Sequence, residues 1–326
     1  MHDLRRAIVI DTDTASDDAV ALLMALRHPA VEVIAITVVA GNVPLDLAVQ
    51  NALYTVELCG SDVPVYAGRA EPLARPLKTA QFVHGQDGMG DIGLQLRGRA
   101  PAVGDAVDVL VDLIRAHEPG SLTLVTLGPL TNVAVAFERD PSLATRLAEI
   151  VVMGGTSDAV GNVSAVAEFN IWVDPEAAAI VFASGARITM VGWDISRKYA
   201  TINPADADAL RALGPFGAFA VDIQAAVDTF ATERTHLEGF DLPDPIAMAV
   251  ALDPRVAADT RLLDVVVETA GTYTDGQTVV DHLGIAGRPP NIHVVVEASR
   301  AAFLRVLHEA LTEAVAPAAH DSAAQR

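Results

Sequence analysis

Four aspartates crowd a single turn near the amino terminus. Asp11, Asp13, Asp17 and Asp18 follow the strand-like run of residues 7–10, and a helical pattern begins directly after them. A helix amino terminus supplies only about half a unit of positive charge, which is too little to offset the mutual repulsion of these carboxylates. A hard divalent cation, which prefers oxygen ligands, is therefore the expected partner of the cluster.

Two other interpretations compete with a metal site. Thr14 and Asp17 have the spacing of a helix capping box, but a cap gives no reason for Asp11 and Asp13 at the end of a buried strand. The Asp11-x-Asp13 pattern also resembles the nucleophile and acid of a haloacid-dehalogenase-type phosphatase. That chemistry requires a late acidic loop and a phosphate-binding lysine. The sequence lacks such a loop, and neither of its two lysines has a convincing phosphate setting.

The composition limits the partners that the chain can take. Its 326 residues are 51% hydrophobic, which is ample for a substantial buried core. The net charge of −20 repels phosphate backbones and anionic lipids, so nucleic acid and membrane are disfavoured and a small neutral ligand or a cation is favoured. Cys59 is the single cysteine, and no apolar run is long enough for a signal peptide or a membrane span. We therefore predict a cytoplasmic protein.

Short β-branched runs alternate with amphipathic stretches through the first two thirds of the chain. This alternation predicts βαβ units and a single α/β domain with a mostly parallel, Rossmann-like central sheet flanked by helices. The predicted strands of this part are residues 7–10, 33–39, 122–127, 150–153 and 188–193. Ligands of such sheets bind outside the carboxyl ends of the strands, which is where the aspartate cluster lies.

The last third continues the domain without a linker. Residues 203–241 have a wholly helical pattern, and residues 298–314 form the last predicted helix. Three further strands are predicted at a sheet edge, over residues 262–269, 278–280 and 292–296. We predict one domain over residues 1–316 and a disordered tail over residues 317–326.

Short motifs follow the predicted strands in a fixed order. After Asp13-x-x-x-Asp17-Asp18 come Val39-Ala40-Gly41-Asn42, His84-Gly85-Gln86-Asp87-Gly88, Leu127-Gly128-Pro129-Leu130-Thr131-Asn132, Met153-Gly154-Gly155, Gly161-Asn162 and Glu168-Phe169-Asn170. Each motif alone is weakly specific. In this order, over nearly the whole chain, they resemble the inosine-uridine-preferring nucleoside hydrolase family.

The resemblance implies a calcium-dependent enzyme that hydrolyses the N-glycosidic bond of ribonucleosides, in nucleoside salvage or catabolism. It implies that Asp13, Asp18, Asp244 and the backbone carbonyl of Leu127 hold Ca²⁺, and that Asp13 is also the general base for the attacking water. The positions implied to bind the nucleoside are Asp17, Asn42, His84, Met153, Asn162, Glu168, Phe169 and Asn170. A homodimer or homotetramer is implied as well.

Two positions depart from the family pattern. Thr14-Ala15 stands where members usually carry Pro-Gly, and Pro243 stands where many carry a histidine that is thought to protonate the departing base. Proline cannot donate a proton, so the leaving-group acid is open. The alternatives are an acid at His236, Asp241 or His84, or a base stacked on Trp172, Phe230 or Phe240 that leaves without one.

Pro243 also keeps two functional alternatives open. One is hydrolysis of another ribosyl compound whose base departs easily, such as a nicotinamide riboside. The other is a protein that binds calcium and a ribosyl compound with little turnover, although the complete set of implied calcium and base positions favours turnover. We further expect the loops around His84 and residues 232–241 to close over substrate.

Overall fold

A nine-stranded sheet forms the centre of the computed structural model, which describes residues 5–235 and 237–312. The strands of the protein are β1 (Arg6–Thr12), β2 (Val31–Val38), β3 (Val65–Ala67), β4 (Leu122–Thr126), β5 (Glu149–Met153), β6 (Ile188–Val191), β7 (Thr201–Ile202), β8 (Phe240–Asp241), β9 (Ala257–Val267), β10 (Thr278–Asp281) and β11 (Ile292–Ala298). The order in the large sheet is β10-β9-β11-β6-β5-β4-β1-β2-β3. Neighbours from β11 through β3 are parallel, whereas β9 and β10 form an antiparallel edge.

Helices cover both faces of this sheet. They are α1 (Ser16–Arg27), α2 (Leu45–Leu58), α3 (Gln81–His84), α4 (Ala106–Ala116), α5 (Thr131–Arg139), α6 (Phe169–Val173), α7 (Pro175–Phe182), α8 (Trp193–Tyr199), α9 (Pro204–Arg211), α10 (Pro215–Asp222), α11 (Ala225–Phe230), α12 (Pro243–Leu252) and α13 (Arg300–Leu311). Short 3₁₀ segments lie at Pro141–Thr145 and Pro254–Val256, and a π-helical turn lies at Ala231–Thr235. No helix among the described residues is long and apolar enough to cross a membrane.

The alternation of side chains along β1 explains why the sheet is covered on both sides. Ile8 and Ile10 pack into the hydrophobic cluster that contains the buried residues of α1, α12 and α13. Val9 points the other way and packs into the cluster that contains those of α4, α5 and α7. A strand that is buried on both faces reads as a continuous apolar run, as this one does. The predicted fold class, a mostly parallel α/β sheet flanked by helices, is confirmed.

The prediction that residues 203–241 are wholly helical is wrong. Gly214 and Gly239 both have a φ of 118°, a conformation that favours glycine and interrupts helices. The segment therefore breaks into α9, α10, α11 and the π-helical turn, and it ends in β8. Strand β8 pairs antiparallel with β7, with Thr201 opposite Asp241. Asp241 is thus held on a small two-stranded ribbon.

The last helix is shorter than predicted at both ends. Helix α13 begins at Arg300, because the Ser299 side chain caps it by accepting the Ala302 N–H at 3.2 Å. Ala298 belongs to β11, which lies between β6 and β9. The helix ends at Leu311, before the predicted residue 314, because the backbone of Thr312 is extended. The predicted domain boundary at 316 and the tail lie outside the described residues.

We expect Phe303→Ala to lower the free energy of unfolding by roughly 3–5 kcal/mol, because it leaves a cavity where α13 packs on the core. Phe303 is fully buried in the cluster that contains Leu22 and Leu23 of α1. Denaturant unfolding at a fixed protein concentration measures the change. Glu309→Ala, at an exposed position of the same helix, is the matched control and should change stability by less than about 1 kcal/mol. Equal losses in both variants would contradict this account of the core.

Candidate active site

The parallel strands bring their carboxyl ends, and the residues that follow them, to one edge of the sheet. There the structure has a cavity of about 150 Å³. Ten of the twelve positions that the resemblance implies for Ca²⁺ or nucleoside binding line it: Asp17, Asn42, His84, Leu127, Met153, Asn162, Glu168, Phe169, Asn170 and Asp244. Asp13 and Asp18 are fully buried and do not appear in the lining. The predicted positions therefore form one site, with a buried layer behind the cavity wall.

Several carboxylates lie close together at this edge of the sheet. One oxygen from each of Asp17, Asp18 and Asp244 lies within 4.8 Å of the others. Burial is the main cause that raises the pKa of Asp17 to about 7 and of Asp18 to about 6, and it raises the pKa of Asp244 well above its usual value. Neighbouring carboxylates raise all three pKa values further. Such a cluster favours either protons or a cation.

Asp13 adds a further carboxylate to the cluster. Its Oδ2 accepts the backbone N–H of Asn42 at 2.6 Å, while its buried Oδ1 has no hydrogen-bond partner among the described residues. Burial and the charge of Asp18 hold the pKa of Asp13 well above its usual range. Oδ1 of Asp17 is likewise buried without a hydrogen-bond partner in the described part of the chain, although it lies 3.6 Å from His84 Nδ1. Two orphaned carboxylate oxygens in an acidic cluster fit a bound cation.

Glycine is required on both sides of Asp13. A Cβ atom at Gly41 would lie 2.1 Å from Asp13 Oδ2, and a Cβ atom at Gly128 would lie 2.6 Å from Asp13 Oδ1. Real side chains cannot approach so closely. The glycines of two of the sequence motifs therefore leave the space that the carboxylate occupies.

The helix starts near the cluster differ from the sequence predictions. Helix α1 begins at Ser16, and it is Asp18, rather than the predicted Asp17, that accepts the Ala15 N–H at 2.9 Å. Thr12 Oγ1 also donates to Asp18 at 2.5 Å. Asp244 directly precedes Pro245, a sequence typical of a helix cap followed by a proline, but α12 begins at Pro243, so Asp244 lies inside its first turn. Both carboxylates keep their place in the cluster.

Glu168 and Asn170 connect the cavity wall to the strand ends. Glu168 caps α6: its Oε1 accepts the Asn170 N–H at 2.9 Å, and its Oε2 accepts the Gly155 N–H at 2.8 Å. Burial raises the pKa of Glu168 to about 7, while these N–H bonds lower it. The Asn170 amide donates to the Leu127 carbonyl at 2.7 Å. That carbonyl oxygen has a second lone pair, so the bond does not exclude a metal.

His84 is the last residue of helix α3 and takes part in a buried hydrogen-bond chain. Its Nδ1 lies 3.0 Å from Ser16 Oγ, and Ser16 Oγ donates to Gln224 Oε1 at 2.9 Å. Asp17 Oδ1 also lies 3.6 Å from Nδ1, so with Gln224 Oε1 accepting the Ser16 hydroxyl, Nδ1 of His84 faces two acceptors and carries the hydrogen, and Nε2 is left as an acceptor. Burial lowers the pKa of His84 to about 4, which keeps the ring neutral. The sequence analysis missed Ser16 and Gln224.

Asp11, which the sequence placed in the cluster, turns away from it. Its Oδ1 accepts Thr37 Oγ1 at 2.5 Å and the Asn132 amide at 2.8 Å. Asn132 also donates to the Val38 carbonyl and accepts the Arg69 N–H. Burial raises the pKa of Asp11 to about 7. This carboxyl joins strand ends to a loop behind the site.

The other side chains that were considered as contacts of the departing base separate into two groups. Phe230, Asp241 and Pro243 line the cavity, and Phe230 packs edge-on against Phe82 with ring centroids 5.7 Å apart. Trp172 and Phe240 do not line it: Trp172 stacks with Lys78, and Phe240 is buried in the core. His236 lies outside the described residues.

Residues 8–305 match the family model described as "Inosine-uridine preferring nucleoside hydrolase". This chain belongs to that family. The family therefore accounts for the predicted resemblance and replaces the phosphatase interpretation. It also confirms the predicted enzyme class, a nucleoside ribohydrolase.

Relatives of this nucleoside hydrolase have been named for different bases. A pyrimidine-specific ribonucleoside hydrolase of Salmonella enteritidis is 39% identical over 307 residues, which are 93% of this chain and 97% of the relative. Uncharacterized protein C1683.06c of Schizosaccharomyces pombe is 37% identical over 308 residues, 93% of this chain and 98% of its own.

Solved structures of the family have the same fold as this nucleoside hydrolase. A plant enzyme, PpNRh1, superposes with a TM-score of 0.87 at 35% identity, covering 94% of this chain and 99% of that one. A purine-preferring ribonucleoside hydrolase from Gardnerella vaginalis gives a TM-score of 0.86 at 32% identity, covering 94% and 98%. Since relatives are named for purines and for pyrimidines, base preference varies within one fold.

We expect Gly128→Ala to lower nucleoside hydrolysis by about 100-fold, because the added methyl group displaces the Asp13 carboxylate and misplaced catalytic groups lose rate at about this scale. Steady-state release of ribose measures the loss. Gly60→Ala is the matched control: its Cβ would meet nothing within 4 Å, so it should cost stability through its φ of 61° and leave turnover unchanged. Full activity in Gly128→Ala would contradict the crowding argument.

Proposed function

We propose that this protein is a calcium-dependent hydrolase that cleaves the N-glycosidic bond of ribonucleosides to ribose and free base, with Asp13 as general base. One observation carries the proposal: Asp17, Asp18 and Asp244 bring carboxylate oxygens together beside a cavity, and buried oxygens of Asp13 and Asp17 have no hydrogen-bond partner among the described residues. An acidic cluster of this kind is stabilised by a cation. A cavity next to it can hold a sugar with free hydroxyls.

The carboxylates of Asp13, Asp18 and Asp244 and the carbonyl of Leu127 would hold the ion. All are oxygen donors, and they come from separate parts of the chain, which suits the large and variable coordination shell of Ca²⁺. When bound, Ca²⁺ supplies a positive charge that makes a nearby water more acidic. The group of closest oxygens includes Asp17 rather than Asp13. We nevertheless assign Asp17 to ribose binding rather than to the metal, because it lines the cavity, whereas Asp13 lies behind the cavity wall.

Asp13 is suited to accept a proton from the attacking water. The Asn42 N–H fixes its Oδ2, and Gly41 and Gly128 leave room on both sides of the carboxylate. Its Oδ1 is therefore held in one orientation without a competing donor from the described residues. A fixed base with a free lone pair needs little rearrangement to take a proton.

The polar residues of the wall would bind the ribose. Asp17, Asn42, Asn162, Glu168 and Asn170 offer acceptors and amide donors to its hydroxyls, while Met153, Phe169 and His84 complete the wall. Carboxylates at this place would also stabilise the positive charge that develops on the sugar as the base departs. Because most of these groups are buried, a sugar that lacks a hydroxyl would leave some of them unpaired.

The absence of an acid at position 243, beside the proposed place of the base, favours a second candidate function. Pro243 lines the cavity and has no proton to give, so a ribosyl compound with an easily departing base, such as a nicotinamide riboside, would also suit the site. A protein that only binds its ligand is less well supported, because Asp13 is oriented as a base. The predicted cytoplasmic location, the homodimer or homotetramer and the closing loops stay predictions.

We expect chelator-stripped protein to release ribose from purine and pyrimidine ribosides only after Ca²⁺ is restored. Asp13→Ala should lower the restored rate by about 100-fold or more, since it removes the general base and one metal ligand. Asp253→Asn, at a carboxylate paired with Arg255 and Arg305 away from the cavity, is the control and should retain the rate. Calcium-independent release in the wild type, or full activity in Asp13→Ala, would contradict the mechanism. Calcium binding with no release from any riboside would favour the binding protein.

We expect a nucleoside 5′-monophosphate to be a substrate at least about 100-fold poorer than its nucleoside, because placing like charges together costs several kcal/mol. Asp17, Glu168, Asp241 and Asp244 line the cavity, and no lysine or arginine does among residues 5–235 and 237–312. Competition kinetics with uridine and uridine 5′-monophosphate measure the difference. Comparable kcat/KM values for the two would show that the phosphate avoids the acidic wall.

A further inference from the structure

Five ionisable side chains line the cavity in the described part of the chain: Asp17, His84, Glu168, Asp241 and Asp244. The question is which of them can give a proton to the departing base, since Pro243 cannot. Three of these five side chains already have another role in the site. Asp17 and Asp244 belong to the acidic cluster, and both oxygens of Glu168 accept backbone N–H groups at the cap of α6.

His84 is also poorly suited to be the acid. Its Nδ1 hydrogen is directed to Ser16, whose own hydrogen is directed to Gln224, so the nitrogen left free, Nε2, is an acceptor. To donate from Nε2, the ring would have to take up a second proton in a buried environment. Burial lowers the pKa of His84 to about 4 and so opposes that step. A neutral His84 can accept a hydrogen bond from a hydroxyl or N–H of the substrate.

Asp241 belongs neither to the acidic cluster nor to a helix cap. The β7–β8 ribbon holds it at the cavity wall, where it is buried, and Ser196 of α8 donates to its Oδ2 at 2.7 Å. One carboxyl oxygen is thus anchored, which orients the group. Burial raises the pKa of Asp241, against the opposing effects of hydrogen bonds from the Ser196 hydroxyl, its own backbone N–H and the Trp193 side chain and of the positive charge of Arg197.

The surroundings of Asp241 suit a planar base. Phe82, Val227, Phe230 and Ala231 line the same cavity, and the edge-on pair of Phe82 and Phe230 presents an aromatic surface. Aromatic and aliphatic side chains pack well against the faces of a base, which leaves its ring nitrogens to polar groups. Asp241 is the carboxyl of this wall that lies outside both the acidic cluster and the cap of α6.

We infer that Asp241 is the acid that protonates the departing base, in place of a residue at position 243. This inference rests on the proposed function. The bond between C1′ and the base nitrogen breaks with its electron pair going to the base, and the proton of Asp241 goes to a ring nitrogen of the base. The water oxygen forms the new bond to C1′, and Asp13 takes the water proton. Exchange with solvent then returns a proton to Asp241 and removes one from Asp13.

The test compares two kinds of leaving group in Asp241→Asn. The base of inosine or uridine needs a proton to leave, whereas nicotinamide riboside carries a positive charge on its base and releases neutral nicotinamide without one. We expect Asp241→Asn to lower kcat/KM by about 100-fold or more on the nucleosides, and by less than about 5-fold on nicotinamide riboside. Asp158→Asn, at a carboxylate away from the cavity that pairs with Lys198, should leave both rates unchanged.

Each other outcome overturns the inference. Equal losses on both kinds of substrate would assign Asp241 a structural or positioning role, and unchanged nucleoside rates would exclude it as the acid. A wild type that hydrolyses only nicotinamide riboside would show that no acid is used. A wild type that releases ribose from none of these substrates would instead refute the proposed function. Should Asp241→Asn fail to fold in a thermal melt, Asp241→Glu, which keeps a carboxyl, should retain nucleoside hydrolysis within about 10-fold.

Discussion

Repulsion between carboxylates that are buried side by side is the constraint on which the rest of this structure depends. Asp13, Asp17, Asp18 and Asp244 meet where several parallel strands end, and burial raises the pKa of each. Folding such a group without compensation would cost several kcal/mol per charge. The fold must therefore supply donors to the carboxylates, leave room for a cation, or hold some of them protonated.

The chain supplies donors unevenly, and this gives the carboxylates different chemistry. Asp18 accepts from Thr12 and from the Ala15 N–H, so both of its oxygens are engaged by the protein. Asp13 accepts one backbone N–H on Oδ2, and its Oδ1 has no partner among the described residues. The glycines that flank Asp13 keep other atoms away from it. This difference is compatible with the proposal that both carboxylates bind the metal and that Asp13 alone is also the base.

A part of the site could be predicted from sequence when its position follows from the strand pattern, and not when it depends on contacts between residues far apart in the sequence. The positions after β1, β2, β4 and β5 were predictable, because parallel strands end at one edge and their following residues must meet there. The hydrogen bond from Ser16 to Gln224 joins residues that are 208 positions apart, so no local pattern in the sequence indicates it. The sequence analysis named Asp241 among the possible acids but missed the β7–β8 ribbon that carries it, because an apolar run with helical spacing concealed the breaks at Gly214 and Gly239. Backbone conformation at two glycines thus decided where an ionisable group of the cavity lies.

The same reasoning explains how carboxyls in one site can differ in their protonation behaviour. Hydrogen bonds that a carboxylate accepts lower its pKa and burial raises it, while a hydroxyl partner can also turn to accept a hydrogen bond from a protonated carboxyl. Both oxygens of Glu168 accept backbone N–H groups, whereas Asp241 has the rotatable hydroxyl of Ser196 as a partner, beside its own backbone N–H and the Trp193 side chain. Under the proposal that Asp241 is the acid, a proline at position 243 does not remove acid catalysis from this fold. The requirement is met instead from the neighbouring strand β8, where burial raises the pKa of Asp241 against the hydrogen bonds that it accepts.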